Sequence, residues 1–149
     1  MELGHWDFPH EFDMSEWFGF IYRIEEIHSG RAYVGKKQFW ANRTKAVPGR
    51  KNRKHYKKES DWRKYTGSSV ELNKSIELHG KENYLFKIES LHQTKGSLHY
   101  REVVLQITEN VLTERFADGS RKFYNGNISA VKFYPALPTE SELKMKRNG

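Results

Sequence analysis

The 149-residue chain contains no cysteine. This excludes disulfides, thiolate catalysis and cysteine-ligated zinc. It has only four prolines (Pro9, Pro48, Pro135 and Pro138), and they punctuate the ends of periodic stretches. No apolar run is long enough to span a membrane and no charged-then-apolar leader is visible, so a soluble, cytoplasmic protein without a membrane partner is expected. Seven histidines (His5, His10, His28, His55, His79, His92 and His99) form no tight pair with metal-ligand spacing. A phosphate-cradling Gly-Lys-Ser/Thr loop, a dinucleotide fingerprint and a nucleophile elbow are also absent. The length suits one domain with an ordinary core.

Charge is present and unevenly spread. The formal net charge is +7, yet residues 1–17 carry Glu2, Asp7, Glu11, Asp13 and Glu16 with no lysine or arginine. Residues 36–64 hold twelve basic side chains (Lys36, Lys37, Arg43, Lys45, Arg50, Lys51, Arg53, Lys54, Lys57, Lys58, Arg63 and Lys64) against only Glu59 and Asp61. Such a patch attracts phosphates and polyanions. Trp40, Tyr56, Trp62 and Tyr65 lie among the charges, where aromatic rings can pack on sugars or bases. A nucleic acid is the expected partner.

The local patterns divide the chain. Trp6, Phe8, Phe12 and Trp17 follow no helical period, so residues 1–17 read as an acidic arm whose rings pack on the main domain. Asp13-Met14-Ser15-Glu16 can open a short helical turn. Gly19–Ile27 and Arg31–Lys36 read as the strands of a hairpin turning at His28-Ser29-Gly30. A two-residue loop at Ser29-Gly30 would set Tyr33 opposite Glu26 and Lys37 opposite Tyr22, with all four on one face. Gln38–Thr44 reads as a short helix and Arg50–Glu59 as a loop or exposed helix, with the basic insert spanning 45–64. Ser68 and Glu71 form a capping box that opens a helix over 67–80, with Val70, Leu72, Ile76 and Leu78 as apolar contacts and Gly80 as its stop. Tyr84, Phe86 and Ile88 predict a half-buried strand, and Ser97–Thr108 a second helix. Asp118-Gly119 marks a turn, Val131–Leu137 an extended end, and 138–149 a polar tail. The main domain spans 18–137. These parts predict an α+β fold, a small mixed sheet flanked by helices.

Ile21-Tyr22, followed ten residues later by Tyr33-Val34-Gly35, resembles the signature of the GIY-YIG endonucleases, the metal-dependent DNA-cleaving domains of homing, restriction, repair and phage enzymes. Phe20 stands where the family has its first glycine, with Gly19 just before it. The element order over about 18–130 is similar to the family's three-stranded antiparallel sheet flanked by helices. Trp62-Arg63-Lys64-Tyr65-Thr66-Gly67-Ser68-Ser69 resembles small phage-encoded members.

That resemblance implies hydrolysis of duplex DNA with one Mg2+ or Mn2+, leaving a 5′-phosphate and a 3′-hydroxyl. Glu102 matches the helical glutamate that holds the metal, with Glu109 as the alternative. Tyr22 matches the residue that acts as general base or orients the attacking water, with Lys37 a source of nearby charge, and Tyr33 the residue that orients the phosphate or the water. Arg43, ten residues after Tyr33 on the helix expected there, matches the phosphate-gripping arginine, with Arg63 its rival. Where some relatives carry histidines, the chain offers His55 or Tyr65. Asn125 matches the late supporting asparagine, with Asn127 the alternative. DNA contacts are expected from Lys36, Lys37, Arg50, Lys51, Arg53, Lys54, His55 and Arg63. Cutting both strands would require a homodimer on DNA or two binding events, and a phage-encoded member would act in the host cytoplasm. The competing reading is a basic nucleic-acid-binding module without catalysis.

Overall fold

Aromatic and β-branched residues over Gly19–Glu26 form β1, which reverses into β2 (Ala32–Gln38). The computed structural model describes residues 1–147. Next come β3 (Trp40–Lys45), β4 (Lys54–Glu59), α1 (Val70–His79), β5 (Tyr84–His92), α2 (Lys95–Thr108) and the short α3 (Glu140–Lys144). β2, β1 and β5 form an antiparallel three-stranded sheet in that order, and β3 and β4 pair with each other apart from it. The fold is α+β, as the element order predicts.

The β1–β2 turn corrects the expected register by two residues. The Glu26 amide donates to the Arg31 carbonyl and the Gly30 amide to the Glu26 carbonyl, both at 2.8 Å, leaving a four-residue loop in which Gly30 has φ +77°. Tyr33 therefore faces Ile24, Lys37 faces Phe20, and Tyr22 faces Gly35. A shift of two keeps the side-chain parity, so the two tyrosines still share one face.

Each face of the sheet carries its own core. Phe20, Tyr22, Ile24, Phe86 and Ile88 pack with Leu72 and Ile76 of α1 and with Trp6, Phe8 and Trp17 from the N-terminal arm. Ile21, Ala32 and Val34 pack on the other face with Leu98, Val111 and Phe123. A 3₁₀ turn forms at Met14–Glu16 with Asp13 as its cap. The α1 cap is Ser69 rather than Ser68: its hydroxyl accepts the Leu72 amide at 3.2 Å. Val70 and Leu78, expected as apolar contacts, are exposed. Gly80 stops α1 at φ +88°, and Asp118-Gly119 turns the chain with Gly119 at φ +86°.

The basic stretch departs most from expectation. No helix forms over 38–44, and the loop expected over 50–59 is confined to its first four residues; β3 and β4 pair there as a ribbon. The pairing joins residues up to nineteen positions apart, from Trp40–Glu59 inward to Lys45–Lys54, and local periodicity does not register such contacts. Ser60 anchors the base, donating its amide to the Phe39 carbonyl at 2.8 Å and its hydroxyl to the Gln38 carbonyl at 2.6 Å.

The charged C-terminal stretch, which its polarity alone would leave frayed, docks on β5. Thr139 and Glu142 form a capping box, and Glu142 is buried. One Glu142 oxygen accepts from Ser97 at 2.7 Å and lies 3.1 Å from His92 Nδ1, while His92 Nε2 lies 2.8 Å from the Ser90 hydroxyl. A neutral His92 satisfies both contacts, with Nδ1–H donating to Glu142 and Nε2 accepting from Ser90. Burial pushes its pKa down to about 4, with Arg101 and Lys146 assisting and Glu142 opposing. His5 is likewise lowered to about 4, by burial and by Lys81.

A histidine held neutral in the folded state takes up its proton first in the unfolded state. Stability is therefore complete above the unfolded value of 6.5 and lost as the pH falls toward the folded value of about 4. For a group as buried as His92 the loss is on the order of 3 kcal/mol. Thermal midpoints of the wild type should fall between pH 6.5 and 4, and those of His92→Gln should fall less steeply. Identical slopes would refute the assignment.

Candidate active site

Tyr22 lies on the central strand, 1% exposed, against the Gly35 position of β2. Gly35 is needed there: a Cβ would sit 2.5 Å from the Tyr22 hydroxyl and 3.0 Å from Tyr33 Cε1. Gly67, at φ +85°, passes close over the same two rings. The β1–β5 register shifts between Ile21 and Tyr22, so a bulge in the ladder stands beside this tyrosine. Bulges re-aim side chains next to functional sites. The Tyr22 ring centroid lies 6.1 Å from that of Tyr33 and 6.0 Å from that of Tyr65. The Tyr33 hydroxyl is hydrogen-bonded to that of Ser68 at 3.0 Å.

These groups open onto a cavity of about 230 Å³ beside β2, lined also by Lys36, Glu102, Gln106, Asn125 and Asn127. Glu102 reaches it from α2 with 8% of its surface exposed. The nitrogens nearest to it are Lys36 Nζ at 3.9 Å and His99 Nδ1 at 4.0 Å, both beyond hydrogen-bonding distance. Burial raises the Glu102 pKa, opposed by Lys36 and then His99. Lys36 is steered by its 2.8 Å contact with His99 Nδ1, whose Nε2 donates to the Ala130 carbonyl at 3.0 Å.

The Tyr22 pKa is pushed well above its ordinary value by burial, then by Tyr33, Tyr65 and Glu102. Its environment therefore favours a neutral phenol, which orients a water rather than taking its proton. Lys37 does not relieve this. It faces Phe20, pairs with Asp61 at 2.8 Å and lies 4.1 Å above the Tyr65 ring.

Asn125 supports the edge strand. Its Oδ1 accepts the Val34 amide at 3.0 Å and its Nδ2 donates to the Val34 carbonyl at 2.8 Å. Gln106 donates to the same carbonyl at 3.0 Å. Asn125→Ala leaves a buried amide without a partner, because Val34 is fully enclosed. The expected loss is about 1–3 kcal/mol, read from denaturant unfolding; a loss within error of zero would contradict the clamp.

The other expected residues lie elsewhere. Arg43 is on strand β3, not on a helix, and is exposed outside the cavity. Arg63 is also outside; it pairs with Glu59, donates to the Glu2 carbonyl at 3.0 Å and lies 4.5 Å over the Trp62 ring. Glu109 is taken up by Arg23, which also binds Glu89 at 2.9 Å. Arg50, Lys51, Arg53, Lys54 and His55 are exposed on the ribbon and its tip. Of the two candidates for the family's histidine position, Tyr65 lines the cavity and His55 does not. Gln106 and His99 escaped the sequence reading, although positions i+4 and i−3 from Glu102 are its neighbours on a helix.

Among the described residues Glu102 is the one carboxylate lining the cavity, and no group of three or more His, Cys, Asp or Glu is placed to hold a metal ion. That donor set does not fit zinc. It does fit a hard divalent cation, which takes oxygen ligands and keeps most of its waters.

A three-stranded antiparallel sheet flanked by helices is compatible with the GIY-YIG fold. The family model of the SegE GIY-YIG endonuclease domain matches residues 5–128. The chain belongs to the GIY-YIG endonuclease family. No curated protein and no solved structure gives a match. Among the described residues no helix is long and apolar enough to cross a membrane.

Proposed function

We propose that this chain is an endonuclease of the small phage or mobile-element kind that hydrolyses phosphodiester bonds in double-stranded DNA with Mg2+ or Mn2+. The observation that carries this reading is the convergence of Tyr22, Tyr33, Tyr65, Lys36 and Glu102 on one polar cavity. Glu102 would hold the cation. When bound, the cation offsets charge developing on phosphorus and the leaving oxygen and acidifies water. Lys36 draws a phosphate oxygen toward the cavity, the role first expected of Arg43. The neutral Tyr22 phenol positions the attacking water, and the Tyr33 and Tyr65 hydroxyls hold the phosphate. Asn125 acts at one remove by holding β2, and thus Tyr33 and Lys36, in place.

Arg43, Arg50, Lys51, Arg53, Lys54 and His55 hold DNA outside the cavity. One cavity cuts one strand at a time, so a double-strand break requires two copies or two encounters.

Supercoiled plasmid incubated with Mg2+, Mn2+ or EDTA tests the reading. Nicking followed by linear product with either metal, and none with EDTA, is the expected result. A mobility shift without cutting under every metal condition would favour a basic module that binds without catalysis. The exposed ribbon alone would suffice for such a module.

A further inference from the structure

The β3–β4 ribbon has no core. Asn42–Lys45 and all of β4 are exposed, and a lone two-stranded ribbon is at best marginally stable in water. From Asn42 to Lys58 the chain has eight lysines and arginines and no acid. The base, by contrast, is fixed. Phe39 is fully buried, its ring 4.9 Å from Trp62 and 5.1 Å from Phe20. The chain enters the ribbon four residues after Lys36 and leaves it six before Tyr65, both cavity residues.

The register sorts the ribbon into two unlike faces. Arg43, Lys45, Lys54, Tyr56 and Lys58 share one; Asn42, Thr44, His55 and Lys57 share the other. The first carries long cations that can bend sideways to phosphate ridges. Beside Lys57, the second carries short amide, hydroxyl and imidazole groups with directional hydrogen bonds, the kind that read base edges, and the Thr44 hydroxyl accepts from Arg53 at 3.0 Å. Six paired positions span about 20 Å, and the major groove, about 12 Å wide, admits a two-stranded ribbon.

We propose that the β3–β4 ribbon enters the major groove of duplex DNA with its Asn42–Thr44–His55 face toward the bases. It thereby selects which phosphodiester lies over the Tyr22–Glu102 cavity. The proposal rests on the nuclease reading for its consequence, but not for its test.

Binding selection from a randomised DNA duplex library in EDTA reads the ribbon whether or not the chain cuts, and metal-dependent cutting of the selected duplexes reads the nuclease separately. The wild type should show a short preferred motif. The triple variant Asn42→Ala/Thr44→Ala/His55→Ala should lose roughly ten-fold discrimination at the positions it reads. Lys45→Ala/Lys54→Ala/Lys58→Ala should instead weaken binding to all duplexes and lower the salt-dependence slope by roughly one per contact removed. Replacing purines by 7-deazapurines, which removes a major-groove acceptor, should weaken wild-type binding to the motif. Unchanged motif and slope in both variants, insensitivity to 7-deazapurines, or equal binding of duplex RNA, whose major groove is too narrow for side chains to read, would overturn the proposal.

Discussion

Glu102→Gln is expected to slow metal-dependent strand cleavage by on the order of 10³-fold or more, the several kcal/mol that a catalytic cation contributes. The fold should survive the change. A carboxyl whose folded pKa is raised binds its proton more readily when folded, so its ionisation removes stability as the pH rises through that range. Glutamine keeps the shape and removes the buried charge, and the thermal midpoint of the variant at neutral pH should equal or exceed that of the wild type. DNA binding in EDTA should persist, since the ribbon is untouched. The same raised pKa carries a second consequence: protons compete with the cation, so wild-type cutting should fail on acidification sooner than an ordinary glutamate would allow. Cutting by Glu102→Gln within ten-fold of wild type in Mg2+ would remove Glu102 from the site.

Gly35→Ala should strike both tyrosines at once. The added methyl would meet the Tyr22 hydroxyl at 2.5 Å and its Cζ at 2.7 Å. Tyr22 is 1% exposed and enclosed by Trp6, Tyr33 and Tyr65, so it has nowhere to turn. Overpacking of this kind costs about 1–3 kcal/mol, a fall of roughly 2–12 °C in the thermal midpoint for a chain of this size. The kinetic loss should exceed the structural one, because displacing a positioned hydroxyl by about 1 Å can cost about 10²-fold in rate. Assays well below the lowered midpoint separate the two effects. A stable, fully active Gly35→Ala would show that the rings do not position the reaction.

The hairpin shows how far local pattern reaches. Alternation over Gly19–Glu26 and Ala32–Gln38 is enough to put Tyr22 and Tyr33 on one face, because a register slip of two preserves parity. It is not enough to say what Tyr22 faces, since the four-residue loop is set by the Glu26–Arg31 and Gly30–Glu26 hydrogen bonds. Glu102 was picked out by the family resemblance, since a carboxylate at the margin of an apolar helical stripe is otherwise an ordinary boundary residue. Arg43 came from the same resemblance, but its ten-residue offset from Tyr33 would bring it to the cavity only if a helix followed β2, and here a strand follows. The C-terminal stretch misleads in the opposite way. Its charges suggest solvent, yet Glu142 is held by Ser97, His92 and the Gln93 and Thr139 amides, partners 3 to 50 residues distant.

The sequence by itself determined the absence of thiol chemistry, the concentration of positive charge between residues 36 and 64, the α+β order of elements and the tyrosine and glutamate pattern of the family. The first three follow from composition or from short-range period, which side-chain alternation and helical spacing write directly into the chain; the last was read from the family resemblance. Tertiary structure decided the rest. It folded the basic stretch into a ribbon, gave the cavity Lys36 and Tyr65 as neighbours of Glu102 and Tyr22, and turned Lys37 and Glu109 to other partners. Those outcomes depend on pairings between residues far apart in sequence, where burial and hydrogen bonding, rather than local preference, choose the partner.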